Sequence, residues 1–220
     1  MKVCTDACLL GAIVAAKISG DKAVKNILDI GTGTGLLTLM LAQKCDAFID
    51  AVEINEAAAT QASENFKLSP WANKIQVFTT SLQQFISTKK YDVIISNPPF
   101  FQDDLLSRDA GKNDAKHDTG LTLEELILFI KDNLSADGNA FLLLPFYRTD
   151  FLKALAQKEG LFVNDIIFAR QSPAHSFFRS IIKLGKQQTV FTQTELSIHD
   201  GQREYTPAFT ALLKDYYLKL

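Results

Sequence analysis

The stretch from Asn26 to Gly35 constrains the fold of this chain more than any other part of the sequence. It reads Asn-Ile-Leu-Asp-Ile-Gly-Thr-Gly-Thr-Gly, and a helix-forming apolar run begins at Leu36. The apolar residues predict a short buried parallel strand, and the glycines predict a tight turn into the helix. A strand, a glycine turn and a helix form the βα unit that brings a nucleotide-like ligand against bare backbone and a helix N-terminus. The chain is therefore expected to contain a parallel α/β sheet.

The residues around this turn indicate which ligand it holds. Glu53 stands 22 residues after Gly31, at the end of a second apolar run, where a carboxylate can accept both hydroxyls of a ribose. Leu36 occupies the position of the third glycine of a dinucleotide fingerprint, and Asp29 adds a negative charge that would repel a pyrophosphate. S-adenosylmethionine carries a sulfonium and an ammonium and no phosphate, so it fits better. These residues and Val52-Glu53-Ile54 resemble the class I S-adenosylmethionine-dependent methyltransferases.

The resemblance implies a set of cofactor-binding residues. Asp29 is expected near the ammonium group, Ile54 against the adenine face, and Ser81 near the adenine amine. Relatives often carry an Asp after the third strand, where this chain has Thr80-Ser81, and a serine hydroxyl can still accept a hydrogen bond. The candidate cofactor-binding residues are Asp29, Gly31, Gly33, Gly35, Glu53, Ile54, Ser81 and Asn97.

A second motif, Asn97-Pro98-Pro99-Phe100, follows the fourth predicted strand and carries the candidate catalytic residues. Methyl transfer from a sulfonium is an in-line displacement, so the enzyme must chiefly position the nucleophile. The Asn97 side-chain oxygen and a backbone carbonyl of the proline turn can each accept one N–H of a planar amine, which stabilises positive charge growing on nitrogen. The prolines hold the turn rigid, and Phe100 offers a face for a planar substrate.

The order of predicted elements indicates a doubly wound α/β fold with a mostly parallel sheet and an antiparallel edge hairpin. The resemblance to class I methyltransferases implies seven strands. Residues 1–20 are expected to form a lead-in helix capped by Thr5 or Asp6. Predicted strands cover 27–30, 47–54, 74–79, 91–97, 138–146, 161–170 and 177–185, and predicted helices cover 7–17, 36–44, 55–67, 82–88, 122–134, 150–158 and 207–220. The tail 195–220 is expected to contain a further strand before its helix.

Composition bounds the class of protein. The 220 residues suffice for a substantial core, and we expect residues 1–220 to form a single domain. A net charge of −2 gives no support to an extended polyanion-binding surface and allows only a local basic patch. The cysteines Cys4, Cys8 and Cys45 lack metal-site pairing, so no metal is expected and a reducing cytoplasm is indicated. No apolar run approaches the roughly 18 residues of a membrane span. A monomer is the favoured oligomeric state.

Further motifs along the chain resemble one family, the bacterial tRNA (adenine-N6)-methyltransferases, which modify the adenosine 3′ of the anticodon in a valine tRNA. The matching segments are Met1 to Gly11, Ile27 to Leu37, Ala51 to Ile54, Ser69-Pro-Trp71, Ile95 to Phe101 and Tyr205-Thr-Pro207. The resemblance covers essentially the whole chain and implies a tRNA substrate. Family members generally carry additional residues before the stretch that matches Met1.

The polar segment 101–119 has no apolar period and is predicted to be a substrate-side loop beside the active site. Lysines and arginines make the C-terminal half locally basic, which is one way to bind phosphates. Phe177 and Phe178 are adjacent in a predicted strand and should point to opposite faces, so that one of them is exposed and available to RNA.

Three other functions share parts of this pattern. A protein glutamine-N5 methyltransferase would share the Asn-Pro-Pro-Phe motif but usually brings an N-terminal helical domain. A guanine-N2 rRNA methyltransferase is compatible with the motif alone. A catalytically idle methyltransferase-like RNA-binding module would have no reason to keep Asp29, the glycines, Glu53 and Asn97 together.

Overall fold

The structure, a computed structural model, describes residues 4–98 and 120–219. Strands and helices alternate along the first part of the chain, and an antiparallel pair and a final strand and helix follow. The strands are β1 (Asn26–Ile30), β2 (Phe48–Glu53), β3 (Ile75–Thr79), β4 (Tyr91–Ser96), β5 (Leu134–Pro145), β6 (Phe162–Arg170), β7 (Phe177–Gly185) and β8 (Thr192–Ser197). The helices are α1 (Thr5–Ile18), α2 (Leu36–Ala42), α3 (Glu56–Lys67), α4 (Leu123–Asn133), α5 (Thr149–Lys158) and α6 (Pro207–Leu213).

All of these strands belong to one sheet, in the order β3-β2-β1-β4-β5-β7-β6-β8. Strands β1 to β5 are parallel to one another, β7 is antiparallel to both β5 and β6, and β8 runs parallel to β6. The order reverses at β1, where the chain crosses from the β2–β3 side to β4. Ligands of doubly wound sheets bind at such a reversal, beyond the carboxyl ends of the strands.

The sheet is covered on both faces, which explains its apolar central strands. One face packs against α1, α2 and α6 through a cluster that includes Leu10, Ile13 and Phe209. The other face packs against α4 and α5 through a cluster that includes Ile127, Ile130 and Leu152. Alternate residues of β1 and β4 enter the two clusters, so these central strands are buried on both sides and their ends are fixed in position.

Local sequence signals produced the helix starts that were expected of α3 and α4. The Asn55 side chain caps α3 by accepting from the backbone N–H of Ala58 at 2.9 Å. Thr122 and Glu125 form a reciprocal capping box at the start of α4. Both caps rest on residues within one turn of the helix start, which explains why the sequence predicted helices from positions 55 and 122.

Several sequence-based expectations were wrong in detail. The sheet has eight strands instead of seven, because the polar segment Thr192–Ser197 adds to β6 and displaces the hairpin from the edge. Helix α1 begins at Thr5 with no side-chain cap, so neither Thr5 nor Asp6 is its N-cap. Residues 82–88 form a turn and irregular chain instead of a helix. Helix α6 ends at Leu213 instead of reaching the C-terminus.

No helix within 4–98 or 120–219 is long and apolar enough to cross a membrane.

Candidate active site

The carboxyl ends of β1, β2 and β4 bring the two sequence motifs together. Ile30 pairs with Val52 of β2 on one side and with Ser96 of β4 on the other. Glu53 and Asn97 each follow one of these partners, so they flank the glycine turn from its two sides. Thr32 and Gly31 donate their backbone N–H groups to the Val52 carbonyl at 3.0 and 2.9 Å, which ties the turn to β2. The sheet therefore places the glycine turn, Glu53 and Asn97 at one edge.

Asp29 is a completely buried carboxylate at this edge. Its Oδ2 accepts hydrogen bonds from the hydroxyls of Thr32 at 2.7 Å and Thr38 at 2.8 Å. Its Oδ1 is buried and accepts no hydrogen bond from any described residue. Burial raises the pKa of Asp29 to about 6, although the two threonine hydrogen bonds act in the opposite direction. A buried carboxylate oxygen without a donor is costly, and a cationic ligand beside it would relieve that cost.

Glu53 holds the glycine turn with both of its carboxylate oxygens. Oε2 accepts from the backbone N–H of Gly33 at 2.8 Å, and Oε1 accepts from the backbone N–H of Asn55 at 2.9 Å. The residue is only 9% exposed, so these bonds fix the carboxylate rigidly. Each carboxylate oxygen can accept more than one hydrogen bond, which leaves capacity for the hydroxyls of a ribose.

The glycines of the turn have different structural reasons to be glycine. Gly31, Gly33 and Gly35 all adopt positive φ angles, of 72°, 60° and 92°. A Cβ on Gly35 would stand 2.3 Å from Cε1 of Phe66, so this glycine allows α3 to pack against the turn. A Cβ on Gly31 would meet nothing within 4 Å. The open space beside Gly31 lies where a ligand of the turn would approach.

The other candidate residues lie around the same edge. Ser96, the last residue of β4, is buried and donates its hydroxyl to the Ile30 carbonyl at 2.8 Å, which fixes the point where the Asn97 motif begins. Asn97 is partly exposed and Pro98 is buried. Pro99, Phe100 and the predicted loop 101–119 lie outside the described residues. Ile54 is 65% exposed, so its side chain is available to a ring. Ser81 follows Thr80, whose backbone N–H bonds to the Glu53 carbonyl at 3.0 Å.

Thr32 and Thr38 are the residues of the site that the sequence reasoning missed. Their hydroxyls occupy one oxygen of Asp29 and leave the other free to face a ligand. Thr32 stands three residues after Asp29, a spacing at which local side-chain bonds are common, and it could have been found. Thr38 lies in α2 and meets Asp29 only because the turn folds the helix back over β1.

The described residues contain no cluster of metal-ligating side chains.

Comparisons with known proteins decide the family. A tRNA1(Val) (adenine(37)-N6)-methyltransferase of Cytophaga hutchinsonii is 39% identical over 225 residues, which cover 100% of this chain and 92% of the relative. A relative of the same name from Parabacteroides distasonis is 38% identical over 223 residues, with the same coverage. The chain belongs to this family. The model of the methyltransferase small domain also matches residues 9–115.

Solved structures of other methyltransferases share the fold of this tRNA1(Val) (adenine(37)-N6)-methyltransferase family member. An Agrobacterium tumefaciens protein described as a predicted O-methyltransferase is 18% identical, with a TM-score of 0.72 and 96% of each chain covered. The glycopeptide N-methyltransferase MtfA, crystallised with S-adenosylmethionine, is 10% identical, with a TM-score of 0.59 and coverage of 80% and 87%. The class I methyltransferase fold expected from the glycine turn is therefore confirmed, as is the family resemblance.

Proposed function

We propose that this chain transfers a methyl group from S-adenosylmethionine to the exocyclic N6 amine of an adenosine in tRNA. The relatives that match over the full chain are named for adenosine 37 of tRNA1(Val), and we take that nucleoside as the substrate. The observation that carries the proposal is the buried Asp29 Oδ1 without a donor, beside Glu53 and the open face of Gly31. This arrangement fits a ligand that carries a cation and a ribose and no phosphate.

The binding roles follow from the geometry of the turn. Asp29 Oδ1 accepts an N–H of the ammonium group, because the two threonine hydroxyls already occupy Oδ2. Glu53 accepts the ribose hydroxyls, held in place by the Gly33 and Asn55 backbone N–H groups. The backbone at Gly31, Gly33 and Gly35 forms the floor of the site. Ile54 packs on the adenine ring and Ser81 accepts from its amine.

The transfer step needs the amine to be aimed and its growing charge stabilised. S-adenosylmethionine supplies a methyl group bound to a positively charged sulfur. The Asn97 side-chain oxygen accepts one N–H of the adenine amine, and a backbone carbonyl of the Asn97–Pro98–Pro99 turn accepts the other, which directs the nitrogen lone pair at the methyl carbon. The N–C bond forms as the C–S bond breaks, and S-adenosylhomocysteine leaves. The product nitrogen then loses a proton to water, so no strong general base is required. Phe100 stacks on the adenine.

The remaining features of the proposal concern the whole protein. Residues 1–220 act as a single domain, with the loop 101–119 on the substrate side. The proposed reaction uses no metal. A tRNA substrate implies that the protein acts in the bacterial cytoplasm, and the cysteines of the described residues are free thiols. We propose a monomer as the active form.

The deciding experiment offers S-adenosylmethionine labelled on its methyl group with total tRNA, rRNA and a protein extract in separate reactions. Methylated RNA is digested to nucleosides and identified by mass. The proposal expects label in N6-methyladenosine from tRNA, and Asn97→Ala as a control should remove it. Label in guanosine or in protein glutamine would instead support one of the alternative methyltransferases. An absence of label while S-adenosylmethionine still binds would support the idle RNA-binding module.

A further inference from the structure

A group of aromatic rings lies at the edge of the sheet where β5 and β6 end and β7 begins, outside the site described above. The 3-10 turn Phe146–Arg148 follows β5 directly. The Phe146 ring centroid lies 5.1 Å from that of Phe168 and 5.4 Å from that of Phe177, and the Phe168 and Phe177 centroids lie 5.4 Å apart. We call the exposed residues Phe146, Tyr147 and Phe151 the aromatic shelf. Phe168 and Phe177 pack against the Phe146 ring of this shelf.

The shelf lies on the same edge of the sheet as Asn97. Strand β5 is the parallel neighbour of β4, and Ser96 pairs with Leu142. Asn97 therefore lies level with Leu143, three residues before Phe146. With a rise of about 3.3 Å per residue and about 4.8 Å between strands, the Asn97 and Phe146 backbones are about 11 Å apart. A nucleotide next to the target adenosine in the same strand can reach that far.

The shelf is exposed to an unusual degree for large aromatic side chains. Tyr147 is 72% exposed, Phe151 is 44% exposed and Phe146 is 38% exposed. No hydrogen bond joins the Tyr147 hydroxyl to another described residue. Burial of three such rings would remove a large apolar area from contact with water. Leaving these rings at the surface is therefore costly unless a partner covers them. Their clustering within six residues at the active-site edge points to a ligand of that edge.

The charges around the shelf favour stacking over phosphate binding. The Arg148 guanidinium lies 5.6 Å from the Phe151 ring centroid, and the Arg170 guanidinium lies 5.1 Å from that of Phe177. Arg170 is also held by Glu195 at 2.9 Å and by the Ser197 hydroxyl at 3.0 Å. Its charge is therefore largely compensated by Glu195, and its guanidinium lies over the Phe177 ring. Exposed rings flanked by an arginine that is already paired fit unpaired bases better than a duplex backbone.

Methylation of a base inside a stack creates the need for such a surface. Enzymes that act on a base must take it out of the stack, which leaves the faces of the neighbouring bases uncovered. We propose that a base adjacent to the target adenosine stacks on Tyr147, with Phe146 beside it, while the target amine reaches Asn97. The partner of the shelf is thus the unpaired part of the tRNA loop, an inference that rests on the proposed tRNA function. The shelf restores the stacking that is lost when the target leaves the loop.

The test compares substitutions of one exposed ring with a matched control. Tyr147→Ala removes the ring and Tyr147→Phe retains it. Phe48→Ala is the control, because Phe48 is 59% exposed and is the first residue of β2. It lies where the parallel strands begin, opposite the edge that holds Asn97. We expect Tyr147→Ala to weaken binding of a tRNA1(Val) transcript about ten-fold or more, in the range of a lost base–aromatic stack. Tyr147→Phe and Phe48→Ala should bind the transcript like the wild type, and all variants should bind S-adenosylmethionine equally.

A transcript that lacks one base identifies the stacked nucleotide. In transcripts with an abasic site on either side of adenosine 37, one position should weaken wild-type binding by the same factor as Tyr147→Ala. The variant should lose nothing further with that transcript, because the same contact is already absent. Equal binding by Tyr147→Ala and wild type, or fully additive losses at both positions, would overturn the proposal. Failure of the tRNA function itself is seen separately, since the wild-type protein would then leave N6 of adenosine unmethylated.

Discussion

At the scale of single residues, the site depends on a carboxylate in an unfavourable environment. Asp29 is buried, and one of its oxygens has no donor among the described residues. Such a group lowers the stability of the free protein, and the favourable interaction it is placed to make comes only with a cation. Asp29 is therefore better explained as a ligand-binding group than as a stabilising one.

The pH dependence of stability tests this explanation. The pKa of Asp29 is raised from 3.8 to about 6 in the folded protein, chiefly by burial. The folded state thus holds its proton more tightly, and the free energy of unfolding falls as the pH rises from about 4 to about 6, by about 3 kcal/mol at 1.36 kcal/mol per pKa unit. We expect Asp29→Asn to lack this component, so that its stability relative to the wild type is greater at pH 8 than at pH 4.

Urea unfolding of both proteins without ligand, at pH 4 and pH 8, measures this difference. The cost of a buried amide group is the same at both pH values and cancels in the comparison. Parallel pH profiles of stability for wild type and variant would show that the pKa of Asp29 is not raised by folding. In calorimetry, the variant should also bind S-adenosylmethionine at least ten-fold more weakly, because it lacks the charged acceptor.

Substitution of Asn97 is expected to separate catalysis from cofactor binding. Asn97→Ala removes the acceptor proposed for the substrate amine and touches none of the contacts that Asp29 and Glu53 make. We expect the methylation rate to fall at least 100-fold, in the range of other lost transition-state donors and acceptors, while S-adenosylmethionine affinity stays within a few-fold. Single-turnover rates and calorimetry measure the two quantities. Normal turnover by the variant would disprove the positioning role.

At the scale of elements, the turn between β1 and α2 does two jobs with similar residues. Gly31 faces open space, whereas Gly35 accommodates the Phe66 ring of α3. The first glycine leaves room for a ligand, and the last one fixes α3 against the turn. The same sequence motif therefore contains a binding position and a packing position.

Alanine substitution should separate these two jobs. Both glycines have positive φ angles, so each substitution costs about 1–2 kcal/mol of backbone strain. Gly35→Ala adds overpacking against Phe66, which costs about 1–3 kcal/mol more. We expect urea unfolding to show the larger loss of stability for Gly35→Ala. In calorimetry, we expect Gly31→Ala to show the larger loss of S-adenosylmethionine affinity when the loss for each variant is divided by its own loss of stability. The reverse order in either measurement would contradict this assignment.

The elements also show what a single sequence predicts and what it does not. The starts of the helices near Asn55 and Thr122 and the β6–β7 hairpin were predicted because each depends on nearby residues. The meeting of Gly31, Glu53 and Asn97 follows from the predicted parallel sheet, because parallel strands end at one edge. Strand β8 was poorly predicted, since its pairing with β6 is long-range and its residues Thr192–Ser197 are mostly polar. The bond between Thr38 and Asp29 has the same long-range character, and no sequence pattern announces it.

At the scale of the whole molecule, the net charge is small and many cations are already paired with carboxylates. The chain has a net charge of −2, and many cations of the described residues are paired with carboxylates. Examples are Lys17 with Asp165, Lys131 with Glu159, Arg170 with Glu195 and Arg179 with Asp6. Paired cations neutralise few phosphates. We therefore expect recognition of tRNA to depend on the target nucleotide and its unpaired neighbours more than on the phosphate backbone.

The salt dependence of tRNA binding measures this balance. Each phosphate neutralised by a protein cation contributes about −0.7 to −0.9 to the slope of log affinity against log salt. We expect about three such contacts or fewer, so affinity for the transcript should fall no more than about 40-fold between 50 and 200 mM salt. S-adenosylmethionine binding over the same range serves as a control for the integrity of the site. A loss of about 10³-fold or more would instead indicate an extended phosphate-binding surface, which the paired cations within 4–98 and 120–219 do not provide.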